Sequence, residues 1–249
     1  MIKLFNKIRQ NLLASGQTSR YLKYAVGEIV LVVIGILIAL SINNWNENRK
    51  SNQTAREVYQ NLLTSLKQDS IEVRDIIELQ NRSIETIRKI VLAPPSQPLY
   101  ELEGFDFNGV SADICLSGMS FFPKTGIYNL LVSSNGLELI SSPEIKALLI
   151  NLYDFQYKKY ENLDAIIDQR YQFQLGSLMR KKIDFIIEYN PDIVIVKEVD
   201  PALFIEHYAE LTSECKDMYG VLTTGRNYLV QIQDSINELL ALMNKELKS

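Results

Sequence analysis

With 26 Lys and Arg against 30 Asp and Glu, the 249-residue chain carries a formal charge of −4. It therefore lacks the basic balance of a nucleic-acid binder. One His and two Cys leave no ligand set with metal-site spacing. At 47% hydrophobic and 22% charged the composition is that of an ordinary folded protein of one or two domains.

Residues 1–23 read as a basic cytoplasmic tail. Ile2, Leu4, Phe5, Ile8, Leu12 and Leu13 fall on one half of a helical wheel, with Lys3, Asn6, Lys7 and Gln10 opposite and Gly16 as a stop. The pattern fits either a short amphipathic helix on an anionic leaflet or a disordered basic tail.

Residues 24–45 read as a transmembrane helix. The apolar core of the run, Ile29 to Ile42, is 14 residues, or roughly 21 Å of helix, short of a hydrocarbon layer of about 30 Å. Extension back to Tyr24 brings the length to about 28 Å and takes Glu28 into the span. Tyr21 and Tyr24 at one end and Trp45 at the other occupy the places of interfacial aromatics. A cleaved signal peptide is the competing reading. The long basic segment before the run, and the position of Ala39 to Ser41 inside it, favour an uncleaved anchor.

On the wheel, Glu28 shares a stripe with Gly35 and Ala39, a small-x-x-x-small pair of the kind that lets helices approach closely. These three residues are the candidate helix-packing face. Lys3, Lys7, Arg9, Arg20 and Lys23 precede the span, against Arg49, Lys50 and Arg56 just after it. The bias places the N-terminus inside and residues 46–249 outside the cytoplasm.

The string FNKIRQNLL…TSRYLKYAVGEIVLVVIGILIALSINNWNENRK resembles the N-terminal signature of a family of single-pass membrane proteins of Gram-negative bacteria, known only as a domain of unknown function. The stretch YNLLVSSNGLELISSPEIKALLINLY, Tyr128 to Tyr153, is similar to that family's second recurrent segment. The resemblance implies an inner-membrane anchor with a periplasmic helical domain and brings no catalytic residue with it.

Beyond Trp45 the apolar spacing becomes three and four, from about Glu47 to Leu92, without Gly or Pro. Asp69 and Gln80 interrupt the heptad seam, so the helix is expected to pack within its own domain rather than in a long coiled coil. Pro94, Pro95 and Pro98 end it, and residues 93–123 form an irregular segment.

Thr125 marks a short helix that stops at Asn135-Gly136. Ser142-Pro143-Glu144 opens a longer one that continues into the 180s, with Gly176 as a possible bend. Ile193 to Val196 is extended or a buried connector. Asp200-Pro201 starts a helix through Leu211, and a last helix spans about Thr223 to Leu247. The fold class is mainly α: one N-terminal transmembrane helix and an elongated helical bundle over residues 46–249.

Cys115 and Cys215 are either a disulfide or two unrelated buried thiols. There is no phosphate loop, GxGxxG or nucleophile elbow, and His207 has only Glu206 and Glu210 for company. The tyrosines and phenylalanines between Tyr153 and Phe173 are expected to pack between helices. The sequence therefore points to a non-enzymatic protein without cofactor, whose partners are the lipid bilayer and a second copy or another envelope protein. Two functions fit: a scaffold or adaptor, or a sensor-like module that binds a small ligand and signals through a partner.

Overall fold

The computed structural model describes residues 18–134, 136–189 and 192–247. The amphipathic pattern before Gly16 lies outside them. The chain divides into two units, Met1–Arg56 and Glu57–Ser249. It is mainly helical, at 82% of residues.

The first unit, as far as it is described, is helical. Helix α1 (Thr18–Leu92) begins six residues before Tyr24, so the end of the predicted tail is already helical. The helix is long and apolar enough to cross a membrane, and none of its most apolar 18-residue stretch is buried. The hydroxyl of Ser41 donates back to the Leu37 carbonyl at 2.8 Å, so this polar group is satisfied within the helix itself.

The second unit takes Glu57–Leu92 of α1 and everything after it. Three long helical segments contribute to both of its apolar cores. One core joins Leu62 and Leu66 of α1 to Leu149, Tyr157 and Tyr160, and to Leu229 and Ile236 near the C-terminus. The other joins Ile87 and Ile90 of α1 to Leu178 and Met179, and to Leu211 and Leu222.

The segment after the prolines is less irregular than its composition suggests. Residues 93–123 contain two short 3-10 turns and helix α2 (Phe107–Cys115). The Asp106 carboxylate caps α2 by accepting from the Gly109 N–H at 2.9 Å. Helix α3 (Gly126–Ser133) follows Thr125, whose hydroxyl makes no capping bond.

Helix α4 (Pro143–Ile150) opens as expected, with Ser142 Oγ accepting from the Ile145 N–H at 3.3 Å and Pro143 in the first turn. It passes through a π-helical stretch, Asn151–Tyr157, into α5 (Lys158–Arg170). A second π stretch, Tyr171–Leu175, leads into α6 (Gly176–Lys181). Gly176 thus stands where the wider turn returns to α geometry. Asp184, at φ 60°, turns the chain from helix to strand, a conformation that Asp tolerates better than most residues.

The Ile193 run is extended and has a partner that the sequence reading placed near the end of a helix. Strand β1 (Ile186–Tyr189) pairs antiparallel with β2 (Ile193–Lys197), Ile187 opposite Ile195 and Tyr189 opposite Ile193. Helix α7 (Pro201–Glu206) is capped by Asp200, which accepts from the Ala202 N–H at 2.9 Å.

Helix α8 (Tyr208–Glu246) is 39 residues long and starts 15 residues earlier than expected. Leu211, Cys215, Met218 and Leu222 are its buried positions before Thr223, at spacings of three and four. Gly220 lies inside α8, exposed, with nothing within 4 Å of an added Cβ. Gly220→Ala is therefore expected to raise stability by about 0.5–1 kcal/mol, read as a higher denaturation midpoint by circular dichroism. A lower midpoint would show that this surface is covered.

Candidate functional site

Helix α1 carries Glu28, Gly35 and Ala39 on one face. Gly35 and Ala39 are exposed and Glu28 is half-buried. An added Cβ at Gly35 or at Gly27 meets nothing within 4 Å. Trp45 is exposed, with the Arg49 guanidinium 6.0 Å from its ring centroid. That pairing suits an amphipathic ring at a membrane edge. The side chains of Tyr21 and Tyr24 lie outside the described residues. An ionisable residue on an apolar helix needs a polar partner or a route to water.

A second polar constellation, in the other unit, explains the interrupted heptad. Asp69 is completely buried. Its carboxylate accepts from the Tyr157 hydroxyl at 2.7 Å and from the Lys124 N–H at 3.1 Å, with the Lys124 ammonium 3.5 Å away. Glu72 completes the arrangement by pairing with Lys124 Nζ and accepting from the Phe122 N–H at 3.3 Å.

Burial pushes the Asp69 carboxyl above the usual aspartate range, against the pull of the Tyr157 and Lys124 hydrogen bonds. Burial opposes the Lys124 charge as well, but Glu72 and Asp69 outweigh it and hold the ammonium above its ordinary value. Gln80, the other interruption, donates to the Met119 carbonyl at 3.0 Å. Together Asp69, Glu72 and Gln80 fasten the 119–124 segment to α1. The arrangement is a structural clip, since the carboxylate oxygens of Asp69 and Glu72 are filled by the protein's own donors.

The aromatic segment divides into two groups. Tyr153, Tyr157 and Tyr160 are buried, with Tyr153 stacked on Tyr128 at a centroid distance of 4.3 Å. Phe155 and Phe173, expected between helices, instead face outward at 59% and 78% exposure. Each belongs to one of the π stretches, where the wider turn shifts residues off the face that an unbroken α-helix would give them.

His207 lies 3.7 Å from Glu210, but that carboxylate is held by Lys182 Nζ at 2.6 Å and 2.7 Å. The Lys182 bond keeps the Glu210 carboxyl below its ordinary range. The acid of the imagined carboxylate–His pair is thus already engaged. Cys115 and Cys215 are both free and buried, and burial pushes their thiols up to about 11 and about 12. Such thiols are poor nucleophiles. Among the described residues no group of His, Cys, Asp and Glu could hold a metal ion.

The model of a family of unknown function, DUF6090, matches residues 28–184. The chain belongs to this family. The match begins at Glu28 and takes in the membrane-length part of α1, the Asp69 clip and the chain as far as Asp184. It leaves the β2 strand and α8 of this DUF6090 member outside. Neither the curated proteins nor the solved structures contain a match to the chain.

Proposed function

We propose that the protein is a non-enzymatic adaptor, anchored in the inner membrane by α1, with a periplasmic helical bundle formed by residues 46–249. The observation that carries the reading is the uncovered face of α1. Among the described residues from Val26 to Trp45, all but Glu28 are exposed. The small residues Gly35 and Ala39 stand there beside the carboxylate Glu28. Lipid covers most of such a surface. The stripe offers another helix a close approach. Five basic residues before the span against three after it support a cytoplasmic N-terminus. The partner is a second copy or another envelope membrane protein.

The test is crosslinking in native membranes with mass-spectrometric identification of partners. Gly35→Leu and Glu28→Gln are each expected to reduce partner recovery at least fivefold while the circular dichroism of the chain stays unchanged. Normal recovery by both variants, or recovery of the monomer alone by the wild type, overturns the adaptor reading. A sensor-like module that binds a small ligand and signals through a partner is a second reading. It is favoured by a cavity of about 550 Å³ between α1, α2 and β2.

A further inference from the structure

That cavity is assembled from three parts of the second unit. On α1, Arg82, Thr86 and Lys89 follow one another at spacings of four and three and so share a helix face. Helix α2 contributes Val110 and Asp113, and Ile193 and Ile195 of β2 line it from a third side. Alternate residues of a strand point the same way, so Ile193 and Ile195 lie on one face of the hairpin. Leu99, Leu102 and Phe105 complete apolar walls. The volume falls in the range of about 300–1,000 Å³ typical of small-molecule sites.

The charged groups divide into committed acids and available cations. Asp113 spends both oxygens, accepting from Arg82 Nη2 at 2.7 Å and from Thr86 Oγ1 at 3.0 Å. Asp106 is occupied in capping α2. Arg82 carries five N–H donors in a fixed fork, and its bond to Asp113 uses one nitrogen. Lys89 is exposed and makes no ion pair among the described residues. A second hollow, of about 480 Å³, shares Lys89 and Leu99 with the first and continues past Leu92, with Arg88 and Glu85 offsetting each other in formal charge. Lys89 therefore stands where the two hollows meet. Apolar walls beside unspent donors call for a ligand with an apolar body and a negative head.

We propose that this cavity binds a single apolar chain carrying an anionic head, with the head between Arg82 and Lys89 and the chain against Phe105, Val110 and Ile195. The proposal deepens the sensor-like reading and does not rest on the membrane face. The ligand's carboxylate takes hydrogen bonds that Asp113 leaves unused on Arg82. Its chain buries apolar surface that is otherwise in contact with water.

The test uses the full chain in phosphatidylcholine nanodiscs, titrated calorimetrically with decanoate, dodecyl phosphate and uncharged decanol, with empty discs subtracted. Saturable one-to-one binding of decanoate is expected, at least tenfold tighter than decanol. Dodecyl phosphate binding tighter than decanoate would assign the head to a lipid phosphate rather than a fatty acid, within the same site. Lys89→Ala changes an exposed side chain and is expected to weaken decanoate at least fivefold with decanol unaffected. Ile195→Trp fills the cavity and is expected to abolish both. Heats no larger than those of empty discs overturn the proposal, as does wild-type affinity in Lys89→Ala. Either failure leaves the adaptor reading standing, because Gly35→Leu is scored on recovered partners.

Discussion

Replacing Asp69 by alanine is expected to destabilise the fold by about 3 kcal/mol, measured by denaturant unfolding of the full chain in nanodiscs and followed by circular dichroism. The carboxylate is fully buried and accepts from Tyr157 Oη and from the Lys124 N–H. Alanine leaves both donors inside the protein without an acceptor, and each such orphan costs about 1–3 kcal/mol. It also frees the 119–124 segment from α1 on one side. Asp69→Asn keeps one acceptor and no charge, so its loss should be about 1 kcal/mol at neutral pH.

Wild type and Asp69→Asn differ further with pH. Burial raises the folded carboxyl of Asp69 above its ordinary value, and does the same to Asp164, which accepts from the Tyr160 hydroxyl at 3.0 Å. An acid whose folded value lies above its unfolded value adds stability that is complete below the unfolded value. That stability is lost as pH rises through the folded value. Wild type should therefore lose stability relative to Asp69→Asn as pH rises from about 4 toward neutrality. A wild type that gains on Asp69→Asn over that window would mean the carboxylate is better solvated by its donors than its burial implies.

Asp69 also shows how far the sequence reaches. Its place in an apolar seam was legible, as was the packing of the helix beyond Glu57 within its own domain. Its partners were not, because they come from residues 55 and 88 positions away. The same limit hid the cavity, whose walls come from α1, from residues 99–113 and from residues 193–195. Local signals fared better. Ser142-Pro143 and Asp200-Pro201 begin helices where their capping chemistry says they should.

The start of α8 was missed because Thr212, Thr223 and Thr224 weaken the helical signal. In the fold their hydroxyls donate to carbonyls four residues back, at 2.8, 2.7 and 2.9 Å, and so stay within the helix. The π stretches left no mark on the apolar spacing, since Leu149, Leu152, Tyr153, Tyr157 and Tyr160 still step by three, one, four and three. Strand β1 is four residues, too short to override a helical pattern leading into it. The stripe of Glu28, Gly35 and Ala39 needed only helical geometry, and the structure leaves Gly35 and Ala39 exposed on it.

Gly118 will not accept a side chain without displacing Tyr171. A Cβ built there falls 2.3 Å from Tyr171 Cδ1 and 2.8 Å from its Cγ, far inside contact distance. The ring has little room to retreat, because it packs against the second core. Leu116 and Ser117, which lead into Gly118, are fully buried, so the backbone cannot easily give way either. Gly118→Ala is expected to cost about 2 kcal/mol and Gly118→Val about 3 kcal/mol, in the range of overpacked cores. The cause can be isolated by a double-mutant cycle with Tyr171→Ala, which removes the ring. In that background Gly118→Ala should cost less than about 0.5 kcal/mol, since only the small conformational difference between glycine and alanine remains. If Gly118→Ala unfolds at the wild-type midpoint, or costs as much without the ring as with it, the close approach of Tyr171 is not what requires glycine at this position.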